Sequence, residues 1–225
     1  MIIIAPYDPD WPVMFAAEAL RIRQALGDLA LRIEHVGSTS VPGLAARPVI
    51  DIQVSVPSLE PADRYRTRLA ELSYTHFPLG PFDLVYPLFK KPAEWPSTHH
   101  VHLCVAGSEQ ERDHLAFRDF LRRNSTVAAE YVMLKRQLAA RHDGRTMESQ
   151  ERYSLSKTEF VRSVLARALA ESQVLSTAMT PDPPARGQLH RRGATVDGPS
   201  LPARAAGSDP QFSSVRPLGE GRAAR

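Results

Sequence analysis

Residues 33–56 constrain this chain more than any other stretch. Ile33-Glu34-His35-Val36-Gly37-Ser38-Thr39-Ser40-Val41-Pro42-Gly43-Leu44 is followed closely by Arg47-Pro48-Val49-Ile50-Asp51-Ile52-Gln53-Val54. Branched apolar residues on both sides of a small-residue run predict strand, loop, strand. Gly37 lets the backbone turn where a Cβ would clash, and Ser38, Thr39 and Ser40 add hydroxyls and free amides that can wrap an anionic group. That is the chemistry of a phosphate grip. Asp51 sits in an otherwise apolar strand, where an ionised carboxylate is costly unless a metal, a cation or a substrate compensates it. By strand alternation Asp51, Gln53 and Ser55 face one way, while Ile50, Ile52, Val54 and Val56 face the core. Arg47, held by Pro48 just before the strand, is placed either to close the grip bidentately or to form a surface ion pair.

A second constellation is Thr98-His99-His100-Val101-His102-Leu103-Cys104, in which His100, His102 and Cys104 share a face. Two histidines at this spacing can reach one divalent metal, and with Asp51 from a neighbouring strand they make a two-His, one-carboxylate set for Mg, Mn or Zn. Imidazole favours zinc, iron or manganese over magnesium. The alternative is that both rings hydrogen-bond the loop around Gly37 or bind an anion when protonated. Glu34 and His35 are either a general acid and base or a solvent-facing edge, and Cys104 is read as a buried small hydrophobe. Tyr131 with Lys135, and Tyr153 with Lys157, are i,i+4 neighbours that either stack on a base and neutralise phosphates or form ordinary solvated helix faces. Trp11 and Trp95 are read as core or loop-anchoring residues.

The rest of the chain supplies the scaffold. Strands are expected at Ile2–Ile4, Arg32–Val36, Val49–Val56, Leu84–Phe89 and His99–Val105. The Leu84–Phe89 and His99–Val105 runs are candidates for a long-connected hairpin. Helices are expected from Asp10, from Ser58, from Ser108 with Glu111 as a capping box, over Val127–Arg141 and over Ser149–Leu169. This is an α+β domain: a small mixed sheet, packed helices and a helical C-terminal part. The formal charge of +3 resembles a nucleic-acid signal until it is located, because residues 172–225 hold seven arginines and no lysine against four acids. Residues 1–171 are then neutral overall, which argues against a general polyanion surface and a specific nucleic-acid partner. Seven of the 19 prolines also lie beyond residue 171, so a folded domain over 1–171 and a disordered Pro/Arg/Gly/Ser-rich tail over 172–225 are expected. A single cysteine excludes a disulfide framework and a CxxC zinc site. The short apolar N-terminus lacks a basic region, so the expectation is a cytoplasmic protein with no membrane segment.

Taken together, EHVGSTSVPGLAARPVIDIQVSV, preceded by PYDPDWP and followed by THHVHL, LAFRDFLR, EYVMLK and YSLSKTEFV, resembles the GrpB family of bacterial proteins over about residues 3–170. The resemblance implies a divergent nucleotidyltransferase (polymerase-β-like) fold. Gly37 and Ser38 then match the superfamily's loop, Asp51 matches its first strand carboxylate, Gln53 replaces the second, and the His100/His102 strand replaces the one bearing the third acid. It further implies a nucleotide or other phosphorylated small molecule as ligand. A second implication is a link to coenzyme A synthesis, because family members resemble a domain fused behind dephospho-CoA kinase in some actinobacteria.

Overall fold

The computed structural model describes residues 1–178. The five strands are β1 (Arg32–Val36), β2 (Ile50–Val56), β3 (Thr75–Phe77), β4 (Leu88–Lys91) and β5 (His99–Val105), and they form one sheet in the order β1-β2-β5-β4-β3. The central pair β2 and β5 is parallel and every other pairing is antiparallel. Six helices complete the described part: α1 (Trp11–Leu26), α2 (Asp63–Glu71), α3 (Glu109–Arg123), α4 (Ser125–Arg141), α5 (Met147–Leu155) and α6 (Thr158–Ala178). The α+β expectation therefore holds, with β1 and β5 at their expected limits and β4 pairing with β5 as the long-connected hairpin.

Strand alternation divides the sheet into two buried faces. Ile50, Ile52, Val54 and Val56 are fully buried with Val101 and Leu103, and α1 and α2 cover them with Trp11, Ile22, Leu26, Tyr65 and Leu69. The opposite face is polar yet also covered, since Gln53 and Ser55 are fully buried beneath α3. A parallel central pair requires cover on both sides, so its polar residues need protein partners rather than water. Glu111 supplies several: its carboxylate accepts from the Ser55 hydroxyl, from Gly107 N–H at 2.6 Å and from Arg32 at 2.6 Å. Ser108 caps α3 by accepting from Glu111 N–H, but the Glu111 side chain goes to the sheet instead of returning to Ser108. Replacing Glu111 with Ala strands the buried Ser55 hydroxyl and the Gly107 amide, while half-exposed Arg32 recovers water. The expected loss is about 2 kcal/mol by urea unfolding.

Several element limits differ from expectation. Ile2–Ile4 is not a strand. Ala5 makes an isolated bridge with Ala46, and Ile2 is buried beside Leu138 and Tyr153. The segment expected to be a strand from Leu84 instead follows a 3₁₀ helix over Gly80–Leu84, and the strand itself starts at Leu88. The helix expected from Ser58 starts at Asp63, because Ser58 and Glu60 close a turn before it. The long helix expected over 149–169 breaks at Ser156 and Lys157, giving α5 and α6. The α6 helix then continues to Ala178, past the expected boundary at residue 171, and the remainder of the expected tail lies outside the described residues.

A second core joins the helical layer to the loop between β1 and β2. Val41 and Leu44 of that loop are buried against Phe117, Phe120 and Leu121 of α3, Tyr131 of α4, and Val161 and Val164 of α6. Arg122 of α3 donates twice to the Ser40 carbonyl, at 2.8 and 3.1 Å, and Lys135 of α4 donates to the Ala45 carbonyl at 2.6 Å. The glycine loop is thus clamped between sheet and helices.

Candidate metal and anion site

The loop geometry explains the glycine at its start. Gly37 has φ +69° and ψ −173°, a conformation essentially reserved for glycine. A Cβ there would lie 2.2 Å from Asp51 Oδ2. Gly37 therefore both turns the chain and leaves the space that the Asp51 carboxylate occupies.

Asp51 lies near the start of β2, directly opposite His100 of β5, and Gln53 lies opposite His102. The Asp51 carboxylate meets His100 Nδ1 at 3.1 Å, and ligand atoms of Asp51, His100 and His102 all fall within 4.8 Å of one another. Burial alone would raise the Asp51 pKa, but the His100 hydrogen bond and the nearby charges of His100, His102 and Arg47 outweigh it and hold the group at about 2. Burial pushes His100 below the usual imidazole range despite the opposing pull of Asp51. An ionised carboxylate beside an imidazole that is neutral near pH 7 is the donor state a divalent metal needs. Two nitrogens and one oxygen suit zinc, manganese or iron better than magnesium.

Gln53, at the position where the resemblance places a second carboxylate, is committed to structure. Its carbonyl accepts from the Tyr86 hydroxyl at 3.0 Å and its amide donates to the Glu111 carbonyl at 3.4 Å. Tyr86 stacks on His102 at 4.7 Å and on His114 at 4.4 Å between centroids. Gln53 thus helps to fix the ring packed on His102. Sequence reasoning missed Tyr86 and His114, because neither belongs to a motif and only the fold brings them to the sheet.

Cations gather beside the triad. Arg47 is half-buried, with its guanidinium 5.7 Å from the Trp95 ring centroid and 5.6 Å from that of Tyr153. Lys135 sits over Tyr131 at 4.7 Å and Lys157 over Tyr153 at 4.5 Å, so both Tyr–Lys pairs form cation–π contacts. Burial and then the charge of Arg47 bring each lysine down to about 7, with Asp51 opposing the change. Burial pushes the Tyr131 pKa above the usual phenol range, with the nearby Ser38 side chain opposing the change. Asp51, Arg47, Ser38, Tyr131, Lys135, Lys157, His100 and His102 therefore converge on one region.

The other expected residues are engaged elsewhere. Thr39 Oγ1 donates to the Val49 carbonyl at 2.9 Å and meets His35 Nε2 at 3.1 Å, while Ser40 Oγ donates to the Gly37 carbonyl at 2.6 Å. Both hydroxyls shape the loop. His35 stacks on Phe15 of α1 at 4.7 Å, on the apolar face, and burial brings its pKa down to about 4. Glu34 accepts from Arg118 at 2.7 Å. These contacts tie Glu34 to α3 and His35 to α1.

A family model described as GrpB protein matches residues 1–167. The chain belongs to the GrpB family. Among its relatives, a UPF0157 protein of Halalkalibacterium halodurans is 37% identical over 169 residues, covering 75% of this chain and 83% of that protein. The crystal structure of conserved protein GrpB from Enterococcus faecalis superposes with a TM-score of 0.66 at 36% identity, covering 76% of this chain and 99% of that one. A dephospho-CoA kinase of Mycobacterium tuberculosis is 30% identical over 164 residues, covering 63% of this GrpB-family chain and 40% of the kinase. Less than half of that longer protein is represented here.

Proposed function

We propose that this GrpB-family chain binds the phosphate groups of a nucleotide or other phosphorylated small molecule beside a divalent metal, in a nucleotidyltransferase-type site with one carboxylate. The carrying observation is the clustering of cations: Arg47 and Lys157 both lie against the Tyr153 ring, at 5.6 and 4.5 Å from its centroid, Lys135 lies over Tyr131 at 4.7 Å, and the charge of Asp51 acts on both lysines. Partly buried cations in excess of carboxylates favour a ligand with more than one negative charge. Asp51, His100 and His102 would hold the metal, which would polarise a phosphoryl oxygen when bound. Ser38, Arg47, Lys135 and Lys157 would orient the phosphates, with Tyr131 and Tyr153 holding the lysines in place. Among the described residues no helix is long and apolar enough to cross a membrane, which is compatible with action in the cytoplasm.

Calorimetry with inorganic tripolyphosphate and manganese tests the reading. Binding by the wild type, weakened about tenfold in Arg47→Met, is the expected result. Absence of binding by the wild type refutes it. Protonation supplies a further check, because an anion favours the ammonium forms of Lys135 and Lys157, whose values near 7 place their titration in the accessible range. Affinity of the metal-free protein for sulfate, whose charge is constant above pH 3, is expected to fall by about tenfold or more from pH 6 to pH 9, with proton uptake on binding above pH 7. A flat profile excludes the lysines from the site.

The dephospho-CoA kinase relatives favour one further reading, a non-catalytic accessory module acting on such a kinase. Sedimentation of the purified chain with a purified dephospho-CoA kinase distinguishes it: a complex formed equally by Asp51→Asn and wild type supports the module, and independent sedimentation opposes it.

A further inference from the structure

The surroundings of Arg47 reach beyond a bare phosphate site. Its guanidinium lies within 5.7 Å of the ring centroids of both Trp95 and Tyr153, and Tyr153 in turn carries Lys157 at 4.5 Å. Trp95 therefore stands one side chain away from the cation cluster, on the connection between β4 and β5. Trp95 is 38% exposed, whereas the other tryptophan, Trp11, is 2% exposed in the sheet core. Large aromatic surface is normally buried, and the position of this one beside a phosphate-facing arginine offers a π-face that an inorganic anion cannot use.

We propose that Trp95 is the stacking platform for the base of a nucleoside polyphosphate whose phosphates lie on Arg47, Lys135 and Lys157. The proposal rests on the phosphate-binding reading above and adds to it the organic half of the ligand. Stacking on indole tolerates any base, because every base presents a π-face, and the neighbouring guanidinium contributes a cation–π term. Recognition would then depend on the presence of a base more than on its identity.

The test compares ATP with inorganic tripolyphosphate, each with manganese, on wild type, Trp95→Ala and Trp95→Phe. Trp95→Ala is expected to weaken ATP about tenfold or more, Trp95→Phe to retain most of the affinity, and tripolyphosphate to change by less than about twofold in either. Wild-type tryptophan fluorescence is expected to be quenched by ATP and not by tripolyphosphate, against the constant background of buried Trp11. Equal weakening of both probes in Trp95→Ala would mean that the indole only packs Arg47, and unchanged ATP affinity would mean that no base rests on it. Either overturns the platform while leaving the phosphate reading intact. Failure of both probes to bind the wild type overturns the two together.

Discussion

Alanine at position 37 is expected to cost about 3 kcal/mol or more and to remove metal binding altogether. Two separate penalties combine there. The backbone at φ +69°, ψ −173° is a glycine conformation, worth about 1–3 kcal/mol of strain for any other residue. The added methyl would also sit 2.2 Å from Asp51 Oδ2 and 2.9 Å from its Cβ and Cγ, so either the loop or the carboxylate must move. Gly43 provides the internal control, since it too has positive φ, at +77°, but a Cβ there meets nothing within 4 Å. Gly43→Ala should therefore show backbone strain alone, about 1 kcal/mol, and leave manganese binding unchanged. Urea unfolding and manganese titration of both variants separate the two penalties. In the double variant Gly37→Ala with Asp51→Gly the clash is relieved, so its destabilisation should be smaller than the sum of the single losses. Strict additivity would show that the two residues do not share that space.

The Gly37 result marks where sequence reasoning ends. A glycine between two strands announces a turn, but nothing in the local sequence says that its missing side chain makes room for an aspartate 14 positions later. The alternation of Ile50–Val56 and His99–Val105 was legible because period-2 patterning is local, and it placed Asp51, His100 and His102 on one face correctly. The same patterning could not show that this face is roofed by α3, which converts Gln53 and Ser55 from site-facing groups into buried structural partners. Thr39 and Ser40 looked equivalent to Ser38 as phosphate donors, yet their hydroxyls close the loop on itself, because short hydroxyl side chains compete effectively for nearby carbonyls. Lys157 was visible as the partner of Tyr153, but as a member of a continuous helix. The break at Ser156–Lys157 depends on tertiary packing, and the proximity of Lys157 to Arg47 and Lys135 with it. The family-level likeness was carried by long ordered strings, which is why it survived where individual side-chain roles did not.

Asp51→Asn is expected to abolish manganese binding while leaving metal-free anion binding intact or tighter. The carboxylate is held ionised at about pKa 2, so across the physiological range it offers full negative charge to a cation without competing protons. An amide of the same shape retains an oxygen able to accept from His100 but loses that charge, leaving two imidazoles and a weak carbonyl donor. The same charge also opposes the mutual repulsion of Arg47, Lys135 and Lys157, and its removal makes their surroundings more positive. An added anion should then gain in attraction, whereas the metal-dependent component of binding disappears. Calorimetry with manganese alone, and with sulfate in chelator-treated protein, reads the two effects separately, and near-UV circular dichroism checks that the packed state persists. Loss of sulfate binding in a folded Asp51→Asn protein would mean that the carboxylate serves mainly to assemble the cation cluster. Retained sulfate binding with lost manganese binding assigns it to the metal, and makes the one carboxylate of the Asp51, His100 and His102 set the point at which metal and phosphate recognition meet.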